Sequence, residues 1–355
     1  MELIEKAQKN LIIELHQSGI EVGTYDLDND GNIASLDLTI KNNIPDDILF
    51  PHLKRLAIYG EFLPDVDFIN RHDNLEQLHI FSCGLTEVPN LNKLINLNEL
   101  SLSGNKISKI TNFNSLDTLK ILRLTGNNIS KIEGLQKLSA LKTLVLSNNK
   151  IDSLSGFEKC SNLKNLKDIY LDNNKITDLC EFQPLSVFQN LKTIDLSYNQ
   201  IEDLNITYNV PNLYSIRLDH NRISHITTLK NLLELTSLML AHNTLTKLEN
   251  LSNLPQLGFI DVLGNPITSV SGLDNHLPKL KIIGPLDREN FTDADFEKFT
   301  TYLNNIEWNC EWEYEWNPDD GGIMTICYED YLWDAFERYF VLVSPSSLTF
   351  YVINK

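Results

Sequence analysis

Along most of the chain, apolar and polar positions follow one short pattern that keeps returning. Leu97 opens the segment LNELSLSGNKI, in which Leu97, Leu100, Leu102 and Ile107 are the apolar positions. The pattern recurs as LKILRLTGNNI from Leu119, LKTLVLSNNKI from Leu141, LKDIYLDNNKI from Leu166 and LKTIDLSYNQI from Leu191. It continues as LYSIRLDHNRI from Leu213, LTSLMLAHNTL from Leu235 and LGFIDVLGNPI from Leu257. Weaker copies begin at Ile33, Leu53, Leu75 and Leu280. Most steps are 22 residues, and the two after Leu141 are 25. The x-L-x-L-x core alternates with period two, which predicts a short strand with leucine facing inward. One copy is too small to bury its own apolar face, so the copies must stack into a continuous core.

The ninth place of the strong copies holds Asn105, Asn127, Asn149, Asn174, Asn199, Asn221, Asn243 and Asn265. There the chain leaves the strand and turns inward, so a buried amide must satisfy its donors and its acceptor. Loop backbones of neighbouring copies are the natural partners, and these asparagines are read as structural. Cys83 takes the same place in the third copy. After Asn105, the residues Ile107, Ile110, Phe113 and Leu116 stand three apart. That spacing suits a tight 3₁₀-like or irregular return better than a long helix. The longer copies add three residues in the return, as in SGFEKCSNLKN. They should bulge there without disturbing the strands.

The repeated L-x-x-L-x-L-x-x-N-x-I resembles the leucine-rich repeat signature, in the 22-residue class that contains internalins and the leucine-rich regulatory subunit of protein phosphatase 1. Residues 264–287, GNPITSVSGLDNHLPKLKIIGPLD, resemble the cap that ends many intracellular repeats of this class. The resemblance implies a curved solenoid, a horseshoe with a parallel concave sheet, and protein binding on that concave face. The expected fold class is thus an α/β solenoid with an N-terminal capping helix and a small C-terminal α+β domain. The expected segments are 1–32 for the cap helix and turn, 33–287 for the repeats, and 288–355 for an acidic, aromatic-rich domain.

Residues 2–18 form the helical candidate, with Leu3, Ala7, Leu11 and Leu15 on one face. Next comes DLDNDGNIASLD, in which Asp26, Asp28, Asp30, Gly31, Ile33 and Asp37 fall at the places of a calcium loop. The twelfth place holds Asp37 where glutamate is usual, and the flanks are not two helices. Two readings stay open: a polar turn feeding the first strand, and a calcium site outside the EF-hand class. At the other end, residues 286–355 carry 15 acids and 4 bases and hold all four tryptophans. IEWNCEWEYEW, residues 306–316, alternates as a half-buried strand, with IMTICY as its partner beyond an NPDDGG turn. Residues 291–305 and 329–340 read as helices, Thr292 as the N-cap of the first, and VLVSPSSLTFYVI as a closing hairpin.

Composition narrows the function. The 355 residues carry a formal charge of −18, which repels phosphate backbones and anionic membranes. A protein partner is expected, which the charge allows to be basic, and neither nucleic acid nor membrane. Five widely spaced cysteines form neither a disulfide framework nor a zinc pattern. The N-terminus lacks the form of a signal peptide, and no run of about 18 apolar residues exists. A cytoplasmic setting and a monomer by itself are expected. A surface adhesin of internalin type is the alternative, needing a leader and an anchor. No GxxxxGK[ST], GxSxG, HExxH or CxxC motif occurs. The reading is therefore non-catalytic, without cofactor or metal; only the C-terminal domain is left as a place for an enzyme.

Strand geometry turns the third, fifth and seventh places of each copy outward, with the eighth at the rim. Copies from Leu97 to Leu141 present mostly serine and threonine there. Later copies present Asp168, Tyr170, Asp172, Asp195, Tyr198, Arg217, Asp219 and His220, and the copy from Leu257 adds Phe259 and Leu263. Aromatics and arginine ringed by carboxylates have the composition of an interface hot spot. Tyr59, His79 and Phe81 make a second, weaker patch. His220 and His242 hold equivalent places in adjacent copies, which reads as two solvent-facing residues or as a pair that shares a metal or titrates together near neutral pH.

Overall fold

The computed structural model describes residues 2–269 apart from 42–43, 46–47, 62, 64–65, 114, 180–184, 186 and 208–209. Beyond them it describes 282–287, 292, 294, 323–324, 341–342 and 349–353. The chain forms two compact units, Met1–Ile201 with Ile206–Leu213, and Glu202–Asn205 with Tyr214–Lys355.

The first unit opens with α1 (Glu2–Gln17), followed by β1 (Glu21–Leu27) and β2 (Ile33–Ile40). Leu15 of α1 is fully buried, and the Ile33 N–H donates to Gln8 Oε1 at 3.3 Å. The helix therefore packs against β1 and reaches the start of the first repeat strand. Then come β3 (Arg55–Gly60), α2 (Asp67–Asn70), β4 (Gln77–Phe81), β5 (Glu99–Ser101) and β6 (Ile121–Arg123). β7 (Thr143–Val145), β8 (Asp168–Tyr170) and β9 (Thr193–Asp195) complete it. From β2 to β9 every neighbouring pair is parallel and in register, so Leu36, Leu56, Leu78, Leu100, Leu122, Leu144, Ile169 and Ile194 stack in one buried row.

β1 was not anticipated. It runs antiparallel to β2 with two irregularities in register, and so reverses the sheet at its N-terminal edge. The acidic segment is the turn of this hairpin. Asp28 Oδ1 accepts the N–H groups of Asp30 and Asn32, both at 2.9 Å, which holds its carboxyl below the usual range. Asp37 lies on β2, where Arg55 Nη1 and Thr24 Oγ1 donate to it at 2.6 and 2.7 Å. The carboxylates thus serve a turn and a strand pair, and among the described residues no group of three or more His, Cys, Asp or Glu could hold a metal ion.

The second unit carries β11 (Ser215–Arg217), β13 (Ser237–Met239), β14 (Phe259–Asp261) and β15 (Ile282–Asp287), paired parallel in that order; β10 (Asp203–Ile206) and β12 (His225–Leu229) lie in the return segments. Near the C-terminus, β16 (Ile323–Met324) pairs antiparallel with β17 (Val341–Leu342), and β18 (Thr349–Ile353) pairs antiparallel with β15. Val341–Leu342 and Thr349–Ile353, expected as the two arms of one hairpin, therefore pair with two different strands. The helices expected over 291–305 and 329–340 and the strand over 306–316 lie outside the described residues, apart from Thr292 and Ala294. No helix among the described residues is long and apolar enough to cross a membrane.

Two side-chain ladders tie coil to coil. The first is the ninth-place amide. Asn149 Nδ2 donates to Leu124 O at 2.9 Å and Leu146 O at 3.0 Å, while its Oδ1 accepts the Ile129 N–H at 3.0 Å. Asn105, Asn127, Asn174, Asn199, Asn243 and Asn265 repeat this scheme. Cys83 reproduces part of it, its thiol donating to Phe81 O at 3.3 Å. The second ladder was missed: the residue just before the first leucine donates to the preceding coil. Asn74, Asn96, Asn165, Asn190 and Asn212 reach Pro51, Asp73, Ser139, Lys164 and Gln189 carbonyls at 2.6–3.2 Å. On the return side, Phe113, Phe157 and Phe188 are fully buried, and Ser155–Lys159 of a longer copy is a 3₁₀ turn. Gly156 sits there because an added Cβ would lie 1.8 Å from Ile132 O.

Candidate protein-binding face

Inward leucines commit the odd outer places of each strand to the open sheet face. In the first unit Tyr170 pairs in register with Asp195 and Val145, and Asp168 with Thr143 and Thr193. Asp168 and Tyr170 are half-buried on β8. Asp172 accepts a short hydrogen bond from Ser147 Oγ. Asp195 departs from the expected arrangement: it is buried, and its carboxylate accepts the Ser197 N–H at 2.9 Å. Tyr198 is 55% exposed.

In the second unit Arg217 is exposed, with Asp219 Oδ2 at 3.8 Å from its Nε. Asp219 Oδ1 also accepts the Ala241 N–H at 3.0 Å. The rings of His220 and His242 stack with centroids 4.3 Å apart, and burial followed by the neighbouring His242 lowers the His220 pKa. Phe259 stands in register with Ser237 and Ser215, not with Arg217, whose row continues to Met239 and Asp261. Burial raises the Asp261 carboxyl pKa, opposed by the Leu263 N–H that it accepts.

The patch read as weaker is closely assembled. Tyr59 and Phe81 stack at 5.2 Å, and His79 meets Phe81 edge-on at 5.7 Å. Glu99 Oε1 lies 3.4 Å from His79 Nε2 and also accepts from Arg123. Burial lowers the His79 pKa, with Glu99 acting in the opposite direction. Glu99 at a third place and Arg123 at a fifth were legible from the register but were not joined to the aromatics.

The backbone holds a further signal. The eighth place of successive copies is left-handed in both units: Ser82, Gly104, Gly126, Asn148, Asn173 and Tyr198 in the first, His220, His242 and Gly264 in the second, with φ between 54 and 72°. Glycine and asparagine adopt this conformation at little cost, whereas larger L-residues pay roughly 1–2 kcal/mol. Tyr198, His220 and His242 are aromatic side chains in that position.

A family profile described as leucine-rich repeat matches residues 85–194. The fold of the chain is that of leucine-rich repeat proteins. Its parallel-strand solenoid has about ten turns and few helices. A Listeria monocytogenes internalin structure is 22% identical over 78% of this chain and 87% of its own, with a TM-score of 0.53. A Leptospira interrogans leucine-rich repeat protein is 21% identical over 81% and 93%, with a TM-score of 0.53. TLR13 in its complex with ssRNA13 is 23% identical over 73% of this chain and 35% of its own, with a TM-score of 0.56. At this identity the likeness is one of fold. No curated protein sequence matches the chain. Leucine-rich repeat proteins are generally non-catalytic binding modules.

Proposed function

We propose that this repeat protein is a non-catalytic module that binds a protein partner on the open face and downstream rim of its parallel sheet. The observation that carries this reading is the left-handed column. Copies ending in Gly104, Gly126, Asn148 and Asn173 hold the turn with residues that tolerate it. Tyr198, His220 and His242 hold the same turn at a conformational cost, and Tyr198 projects into solvent. Strain kept where a smaller residue would relieve it points to use of the side chain. Tyr170 and Tyr198 in the first unit, and Arg217 in the second, are of the residue types that dominate interfaces. The net charge of −18 favours a basic protein over RNA, the ligand of the TLR13 structure.

Relief of strain separates the structural from the binding role. Tyr198→Asn with His220→Asn keeps the left-handed turn, so the variant melts at or above the wild-type temperature. Partner capture from a lysate of the source organism, verified with the purified partner, is lost in that variant. Retention of the purified partner at wild-type affinity, or a variant that melts lower, overturns the reading.

A further inference from the structure

The upstream end of each strand forms a surface of its own. There the second place reads Lys54, Glu76, Asn98, Lys120, Lys142, Lys167 and Lys192 in the first unit. The last four make an unbroken row. Lys142 N donates to Lys120 O at 2.8 Å, Lys167 N to Lys142 O at 2.8 Å, and Lys192 N to Lys167 O at 2.7 Å. All four residues are exposed. Lys54 has Glu76 as counter-ion at 3.0 Å, whereas none of the four has an ion-pair partner among the described residues. Lys164, three residues before Lys167, is also exposed, and the carboxylates nearest along the chain are Asp117, Asp168 and Asp195. A local excess of cations thus stands on a chain whose net charge is −18. Stacked like charges repel, and the fold supplies no full complement of counter-ions.

We propose that the Lys120–Lys142–Lys167–Lys192 row is a second binding edge, separate from the open sheet face, and that it takes an acidic helical segment of a partner protein. Pitch favours a helix. Strand spacing sets the row at about 4.8 Å per step, or about 14 Å in all. Carboxylates on one stripe of a helix recur about every 5.4 Å, so over three steps they drift from the row by about 2 Å, within reach of a lysine stem. Same-face carboxylates of an extended strand recur about every 6.7 Å and drift by nearly 6 Å. Length favours a short ligand. A nucleic acid or a membrane runs past the row and meets the negative field of the chain, whereas a segment of four carboxylates stays within roughly one Debye length, about 8–10 Å, of the lysines.

The probe is a labelled helical peptide of about 20 residues with glutamates at i, i+4, i+7 and i+11, followed by anisotropy with the full chain at about 50 and 150 mM salt. Wild type binds saturably, and more weakly at the higher salt. Lys142→Gln/Lys167→Gln weakens binding about tenfold or more, while Lys150→Gln/Lys175→Gln, with the same charge change at the downstream rim, stays within about twofold. These residues are exposed, and matching thermal melts confirm intact folds. Absence of saturable binding at the lower salt, or equal loss in both double variants, overturns the proposal. Equal or tighter binding of a single-stranded oligonucleotide or of phosphatidylserine vesicles overturns it in favour of those ligands. The sheet-face variant Tyr198→Asn/His220→Asn leaves peptide binding unchanged, so failure of either reading is recognised independently of the other.

Discussion

Replacing Asn149 tests the load that the first amide ladder bears. Its side chain is buried, donates to Leu124 O and Leu146 O, and accepts the buried Ile129 N–H. Asn149→Ala leaves that N–H without an acceptor, a penalty of about 1–3 kcal/mol. The two carbonyls lose one donor each, a smaller cost because a carbonyl has a second lone pair. The expected loss is about 3 kcal/mol, which in a unit of this size lowers the melting temperature by about 6–12 °C. Asn149→Asp keeps an acceptor for Ile129 but turns an oxygen toward two carbonyls in a buried site. At neutral pH it is more destabilising than alanine. Burial raises the folded pKa of that new carboxyl, so the folded state binds the extra proton and stability recovers as pH falls through that value. Urea unfolding followed by circular dichroism, at neutral pH and near pH 5, reads both effects. An alanine variant within about 0.5 kcal/mol of wild type, or an aspartate variant as stable as alanine at neutral pH, refutes the argument.

Three further outcomes follow from the packing. Gly156→Ala forces a methyl onto Ile132 O and costs about 3 kcal/mol by urea midpoint, whereas Gly23→Ala, whose methyl meets nothing nearer than 3.5 Å, stays within about 0.5 kcal/mol. His72 is held neutral, its Nδ1–H donating to Phe68 O at 2.8 Å and its Nε2 accepting the Phe50 N–H at 3.1 Å, and burial lowers its pKa below the ordinary 6.5. Its contribution to stability is therefore complete above 6.5 and is lost as pH falls toward the lowered folded value; an identical pH slope in His72→Gln would contradict this. The thiols of Cys83 and Cys160 are buried and pushed up to about 11, so peptide mapping finds them unalkylated at about pH 8 until the chain is denatured.

The repeat register was legible because three constraints coincide in one short motif. Leucines at alternating places name the strand, asparagine at the ninth names its exit, and a constant step requires stacking. The antiparallel β1 was not legible. EVGTYDL lacks the leucine spacing, and its residues are mostly exposed, so no buried face wrote a period into it. The site was legible by place but not by direction. Alternation put Asp195 on the open face, but its carboxylate is buried there and bonded to the Ser197 N–H. The left-handed column escaped notice because no residue type repeats there. Its signal was present in Gly104, Gly126, Asn148 and Asn173 standing where Tyr198, His220 and His242 also stand. The lysine row was hidden by the total charge, which averages over places that the register keeps apart.

Both amide ladders run from one coil to its neighbour, at fixed offsets from that coil's own leucines. This limits how such a chain can lengthen over evolutionary time. A duplication that copies one whole coil brings its donors along and meets matching acceptors at both junctions. One residue inserted within a strand sends every second side chain to the wrong face and displaces the asparagine from its carbonyls. Three residues inserted in the return are tolerated, as the 25-residue steps after Leu141 demonstrate, since Asn174 and Asn199 keep their bonds. Length variation among descendants of this chain should therefore be quantised in whole coils, with the remainder confined to the side away from the sheet.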